Sequence, residues 1–149
     1  MGAKRIGLRA MAIGVLANVG LPVVEQAHSE EKCSLATLKG TYLFAHGGYV
    51  LTDQGMVPKA VTGSNIFFGD GKFSDQETIS TNGMITTEPP GSGTYTVNRD
   101  CTGILSPSPT KSGNSVKLQM FISPNGLDIV DIEIDPGSVL SGTQHRVAR

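Results

Sequence analysis

Residues 59–87 read KAVTGSNIFF-GDG-KFSDQETIST-NG-MITT, three stretches of mixed alternation separated by Gly69-Asp70-Gly71 and Asn82-Gly83. Asp-Gly and Asn-Gly supply the positive φ angles of tight hairpins, so the segment predicts three consecutive antiparallel strands, over 59–68, 72–81 and 84–87. The same punctuation recurs downstream at Thr102-Gly103, Gly113-Asn114, Asn125-Gly126 and Pro136-Gly137. Further strands are predicted over 41–51, 94–98, 104–106, 115–123, 127–134 and 139–147, with a short lead-in at 30–39 and a loop at 52–58. Gly47-Gly48 marks a bulge or bend inside the first strand, with a shifted register beyond it. Residues 88–93 cannot join a central strand, because Pro89 and Pro90 remove ladder donors.

The chain is therefore all-β: an antiparallel up-and-down meander of eight or nine strands without a helix. A meander must cover or close its edges, and closure on itself gives a barrel with an enclosed interior. A two-sheet sandwich produces the same alternation and stands as the alternative.

The N-terminus has a different character. Lys4, Arg5 and Arg9 precede an uncharged apolar run over 10–24, and Ala27-His28-Ser29 offers small residues at a cleavage position. Residues 1–29 are expected to be a secretory signal peptide, leaving residues 30–149 as one β-barrel domain in the periplasm or outside the cell. The remainder carries nine Lys and Arg against twelve Asp and Glu, a mildly acidic balance without the basic clusters of a nucleic-acid binder. No second apolar stretch approaches membrane length, so no stable insertion is expected after cleavage. Export also makes a disulfide between Cys33 and Cys101 the expected state, since neither has a CxxC partner or zinc-ligand spacing.

Candidate chemistry is sparse. The first strand places Tyr42, Phe44 and His46 on one face, where His46 is a general base or a ligand hydrogen-bonder, or else a core histidine bonded to backbone. Asp75 and Glu77 share a face with Phe73 and Ile79; pointing inward they would have raised pKa values, but one or both are expected to face solvent. On the eighth strand Asp131, Glu133 and Asp135 share a face opposite Val130, Ile132 and Ile134. The apolar set is expected inside and the acids outside, as a solubilising stripe rather than a calcium site. His145 is expected to face solvent. No GxSxG, HExxH, Walker loop or GxGxxG occurs, and with no tryptophan an aromatic cage or sugar-stacking surface is not expected. Neither metal nor cofactor is expected.

Lys39-Gly40-Thr41-Tyr42 at the head of the first strand resembles the Gly-x-Trp opening of lipocalins, with tyrosine in place of tryptophan. Arg146 stands where that family often keeps a basic residue over the aromatic. Residues 93–103 resemble a type of small exported bacterial protein. The resemblance implies a closed calycin-like barrel without the lipocalin C-terminal helix. The small barrels of allene oxide cyclase and dirigent proteins are similar in scale, but no residue set transfers from them.

Three functions compete. The first is an exported barrel holding a small apolar or amphipathic molecule, with Tyr42, Phe44, His46, Phe68, Met120 and Ile132 as ligand contacts among an inward set that also includes Val116, Leu118, Val130 and Ile134. The second is a cofactor-free cyclase or isomerase in which His46, Tyr42 or Glu77 converge on a cavity. The third is an envelope structural or interaction protein, opened at the proline-flanked segment 104–106. The oligomeric state is left open.

Overall fold

A computed structural model describes residues 32–109 and 116–148. A 3-10 turn, Leu35–Thr37, leads into nine strands: β1 Lys39–Thr52, β2 Gly55–Phe68, β3 Lys72–Thr81, β4 Met84–Thr87, β5 Gly91–Val97, β6 Thr102–Pro107, β7 Leu118–Ile122, β8 Asp128–Glu133 and β9 Ser138–Ala148. Every pairing is antiparallel, in the order β2-β1-β9-β8-β7-β6-β5-β3-β4, and β2 also pairs with β3. Eight strands thus close a barrel, with β4 as an extra strand, and the sandwich alternative is excluded. The expected signal peptide, Gly113-Asn114 turn and beginning of the 115–123 strand at Ser115 lie outside the described residues.

The closure is forked at β3. Its first part, Lys72 to Asp75, pairs with β5, whereas Thr78 to Thr81 pairs with β4. Pro89 and Pro90 supply no N–H, so the wall cannot continue from β4 into β5, and the chain crosses with Glu88 N–H donating to Glu77 O at 3.1 Å. The opening expected at 104–106 lies here instead, because β6 is paired on both sides.

Three local expectations are corrected. The loop at 52–58 is a tight hairpin: Thr52 pairs with Gly55 and its hydroxyl bonds to Gly55 O at 3.0 Å. Pro58 is tolerated within β2 because it precedes the stretch paired with β3, which begins at Lys59. Gly91 and Gly93 belong to β5 although they follow the prolines. Lastly, Gly47-Gly48 interrupts no register; the bulge falls between Thr41 and Tyr42. Gly48 is needed for close approach instead, since a Cβ there would sit 1.7 Å from Val139 O.

One end of the barrel is packed solid. Leu38, Tyr42, Phe67, Phe73, Tyr95, Leu105, Leu118, Met120, Ile122 and Ile129 form a single cluster. Phe67 is its centre, edge-on to Tyr42 and Tyr95 with ring centroids 5.1 and 5.0 Å away. The 3-10 turn caps this end: Tyr95 donates its hydroxyl hydrogen to Leu35 O and Leu38 O, at 2.9 and 3.0 Å. The Cys33–Cys101 disulfide, closing a separation of 68 residues with Cα atoms 5.0 Å apart, fastens the lead-in to the turn before β6.

Candidate functional site

At the opposite end the lumen widens into a cavity of about 530 Å³, beside the fork in β3. Val61, Ile79, Leu140, Val116, Pro89 and Pro107 provide apolar wall; Lys59, Asp75, Glu77 and Glu88 provide charge. The polypeptide places them here through strand alternation. Asp75, Glu77 and Ile79 follow the inward Phe73 on β3, and Val61 lies across from Ile79 on β2. The expectation that Asp75 or Glu77 faces solvent is therefore corrected, because both line the cavity, half-buried.

Burial has an electrostatic consequence. Withdrawal from water pushes the Asp75 carboxyl above its ordinary range, partly offset by backbone N–H groups of Asp75 and Gly91. Glu77 is also pushed up, first by desolvation and then by the Asp75 and Glu88 charges, with Lys59 and His46 pulling it back. Asp75 Oδ1 is buried without a hydrogen-bond partner among the described residues.

A polar chain crosses the lumen between the packed end and the cavity. Asn65 Nδ2 donates to Gln144 Oε1 at 2.8 Å, Gln144 Nε2 donates to Asp131 Oδ2 at 2.6 Å, and His46 Nε2 meets Asp131 Oδ1 at 2.7 Å. With Asp131 accepting on both oxygens, His46 Nε2 carries the hydrogen. On β2, Asn65 falls between core Phe67 and cavity-lining Val61; on β8, Asp131 follows core Ile129. His46 also stacks obliquely on Phe44 at 5.1 Å, and Gly142 gives it room, since a Cβ there would lie 2.4 Å from its ring.

The anticipated site residues divide sharply. Tyr42, Phe44, His46 and Met120 face inward as expected, as does Leu118. Tyr42 and Met120 belong to the packed end, where the Tyr42 hydroxyl donates to Gly126 O. Arg146 of β9 is in register with Tyr42 of β1, and its guanidinium reaches Asn125 O at 3.5 Å. Phe68 and Ile132, expected inward, point out and are 50% and 43% exposed; Val130 and Ile134 also point out.

On β8 the expected faces are inverted. Asp131 is 1% and Glu133 8% exposed, while apolar Val130 and Ile132 meet solvent. Glu133 lies across from Leu118 of β7, and its Oε2 has no partner among the described residues. The three acids do not act as a set, because Asp135 accepts the Lys117 backbone N–H instead. Among the described residues no group of three or more His, Cys, Asp and Glu is placed to hold a metal ion. Of the three candidate catalytic residues, Glu77 alone borders the cavity; the hydroxyl of Tyr42 and Nε2 of His46 are committed elsewhere. His145 is exposed as expected and contacts Asp128 at 2.7 Å.

Sequence reasoning missed Asn65 and Gln144, since a lone amide on a strand carries no motif. A signal existed only in combination: inward parity set by Phe67 and Leu140 puts both amides in the lumen.

No family model and no curated protein matches this chain. Among solved structures it is similar to a de novo designed fluorescence-activating β-barrel, at 15% identity and TM-score 0.51, over 77% of this chain and 99% of that one. It is also similar to a redesigned β-barrel bound to DFHBI, at 20% identity and TM-score 0.47, over 74% of this chain and 99% of that one. The first of these likenesses supports the closed-barrel architecture.

Proposed function

We propose that the protein is an exported, calycin-like barrel that binds one small amphipathic molecule at the open end of its lumen. The supporting observation is asymmetry: an eight-stranded barrel can fill itself or hold one small ligand, and this one fills a single end. A cavity of about 530 Å³ whose wall divides between aliphatic or proline residues and polar or charged ones suits a small amphipathic molecule. Export accords with the disulfide, which persists in oxidising compartments, and with residues 1–29 acting as a signal peptide. The ligand contacts in this reading are Val61, Ile79, Leu140 and Glu77, with Phe44 and His46 as supports behind them.

Native mass spectrometry of the protein recovered from its own periplasm tests the proposal. The expected result is a co-purifying small molecule, lost when Leu140→Trp fills the cavity. A mass matching the bare polypeptide, together with no saturable shift of cavity amides by 1-octanol in NMR titration, overturns it.

A further inference from the structure

We infer that the open end selects molecules with a cationic head group, an alkylammonium or amidinium, received by Asp75 and Glu77 on the cavity wall, with the buried carboxyl of Glu133 facing the same lumen. The inference rests on the ligand-binding reading above and specifies its ligand class.

The cavity region is unusually rich in acceptors. Asp75 and Glu77 line it from β3, while Glu133, which is not on the lining, faces the lumen from β8 across from Leu118, and Leu118 closely follows lining Val116 in the chain. Asp75 Oδ1 and Glu133 Oε2 are shut away from solvent with no hydrogen-bond partner among the described residues, although the Asp75 and Gly91 N–H groups lie near the Asp75 carboxyl, and Glu133 is more than nine-tenths buried. An ionised carboxylate can only accept, so what completes these atoms must donate. A buried carboxylate without a partner is costly, and a charged donor relieves both the missing bond and the missing counter-charge.

Among the described residues, no cation of the protein is ion-paired with Asp75, Glu77 or Glu133. Lys59 of β2 stands on the cavity lining and acts on Glu77 through charge, but neither ion pair among the described residues includes it. His46 of β1 is held by Asp131, whose other oxygen is occupied by Gln144. Glu88, in the segment after β4, adds a further negative charge at the rim. The raised Asp75 and Glu77 carboxyls point the same way, because an arriving cation would restore their ionised form. The aliphatic wall of Val61, Ile79 and Leu140 then suits the hydrocarbon part.

The test is an isosteric series, n-octylammonium, 1-octanol and octanoate, titrated calorimetrically into the disulfide-bonded protein at pH 7. Octylammonium is expected to bind at least tenfold tighter than octanol, with octanoate weakest. Glu77→Gln should narrow the preference for octylammonium over octanol more than threefold. Independently of any variant, lowering the pH of the native protein from 7 to 4.5 should weaken octylammonium and not octanol. Equal binding of octanol and octylammonium, or tightest binding of octanoate, overturns the charge selectivity and leaves the ligand-binding proposal standing. Binding of none of the three overturns both.

Discussion

Asp131 ties three strands together inside the lumen, since its two oxygens satisfy His46 and Gln144 and, through Gln144, orient Asn65. Asp131→Ala would leave these groups unpaired at a site 1% exposed, and is expected to cost about 3 kcal/mol in urea unfolding. Gly142→Ala should also destabilise, by about 2 kcal/mol or more, because its Cβ would meet Ala45 O at 2.0 Å. Glu77 acts in the other direction. Its folded carboxyl is raised above the ordinary 4.5, so folding favours the protonated form and the group's penalty grows as pH rises through the folded value. Glu77→Gln is therefore expected to raise Tm by a few degrees at pH 7 and to have little effect at pH 4, followed by circular dichroism. His46 was legible as an inward residue from its parity with Tyr42 and Phe44. Its partner was not, because Asp131 lies 85 positions away and only closure brings them together.

At the scale of elements, the turns were the most readable feature and the faces the least. Asp70-Gly71 and Asn82-Gly83 set both ends of β3 and the start of β4, with Asn82 at φ 49° and Gly83 at φ 84°. β2 and β8 were read with inverted faces for one shared reason. Each presents polar groups to the lumen, Asn65 on β2 and Asp131 with Glu133 on β8, so the apolar Ile66, Phe68, Val130 and Ile132 were left for the outside. Placing apolar residues inside is sound where a lumen is filled with hydrocarbon, and it fails where the lumen carries a hydrogen-bonded chain. The lead-in depends on its covalent tether. Replacing Cys33 and Cys101 by serine is expected to lower unfolding free energy by about 4 kcal/mol, as the loop-entropy relation gives for a 68-residue separation. Guanidinium unfolding of the two forms checks this, and equal midpoints would show that the tether contributes little.

For the whole molecule, closure was foreseeable from the meander, but the distribution of space inside it was not. The forked β3 creates the opening, and that fork follows from Pro89 and Pro90 acting on pairing between strands that are distant from each other until the barrel closes. Aromatic Tyr42, Phe67, Phe73 and Tyr95 gather at the capped end and leave Val61, Ile79 and Leu140 to line the other. The account therefore makes ligand position a sharp question. Intermolecular NOEs between n-octylammonium and methyl-labelled protein measure it directly. NOEs to Val61, Ile79 and Leu140, with none to Leu38 or Leu105, are the predicted result. NOEs confined to Val130 and Ile132 on the outer wall, or spread without preference over both ends, would contradict it.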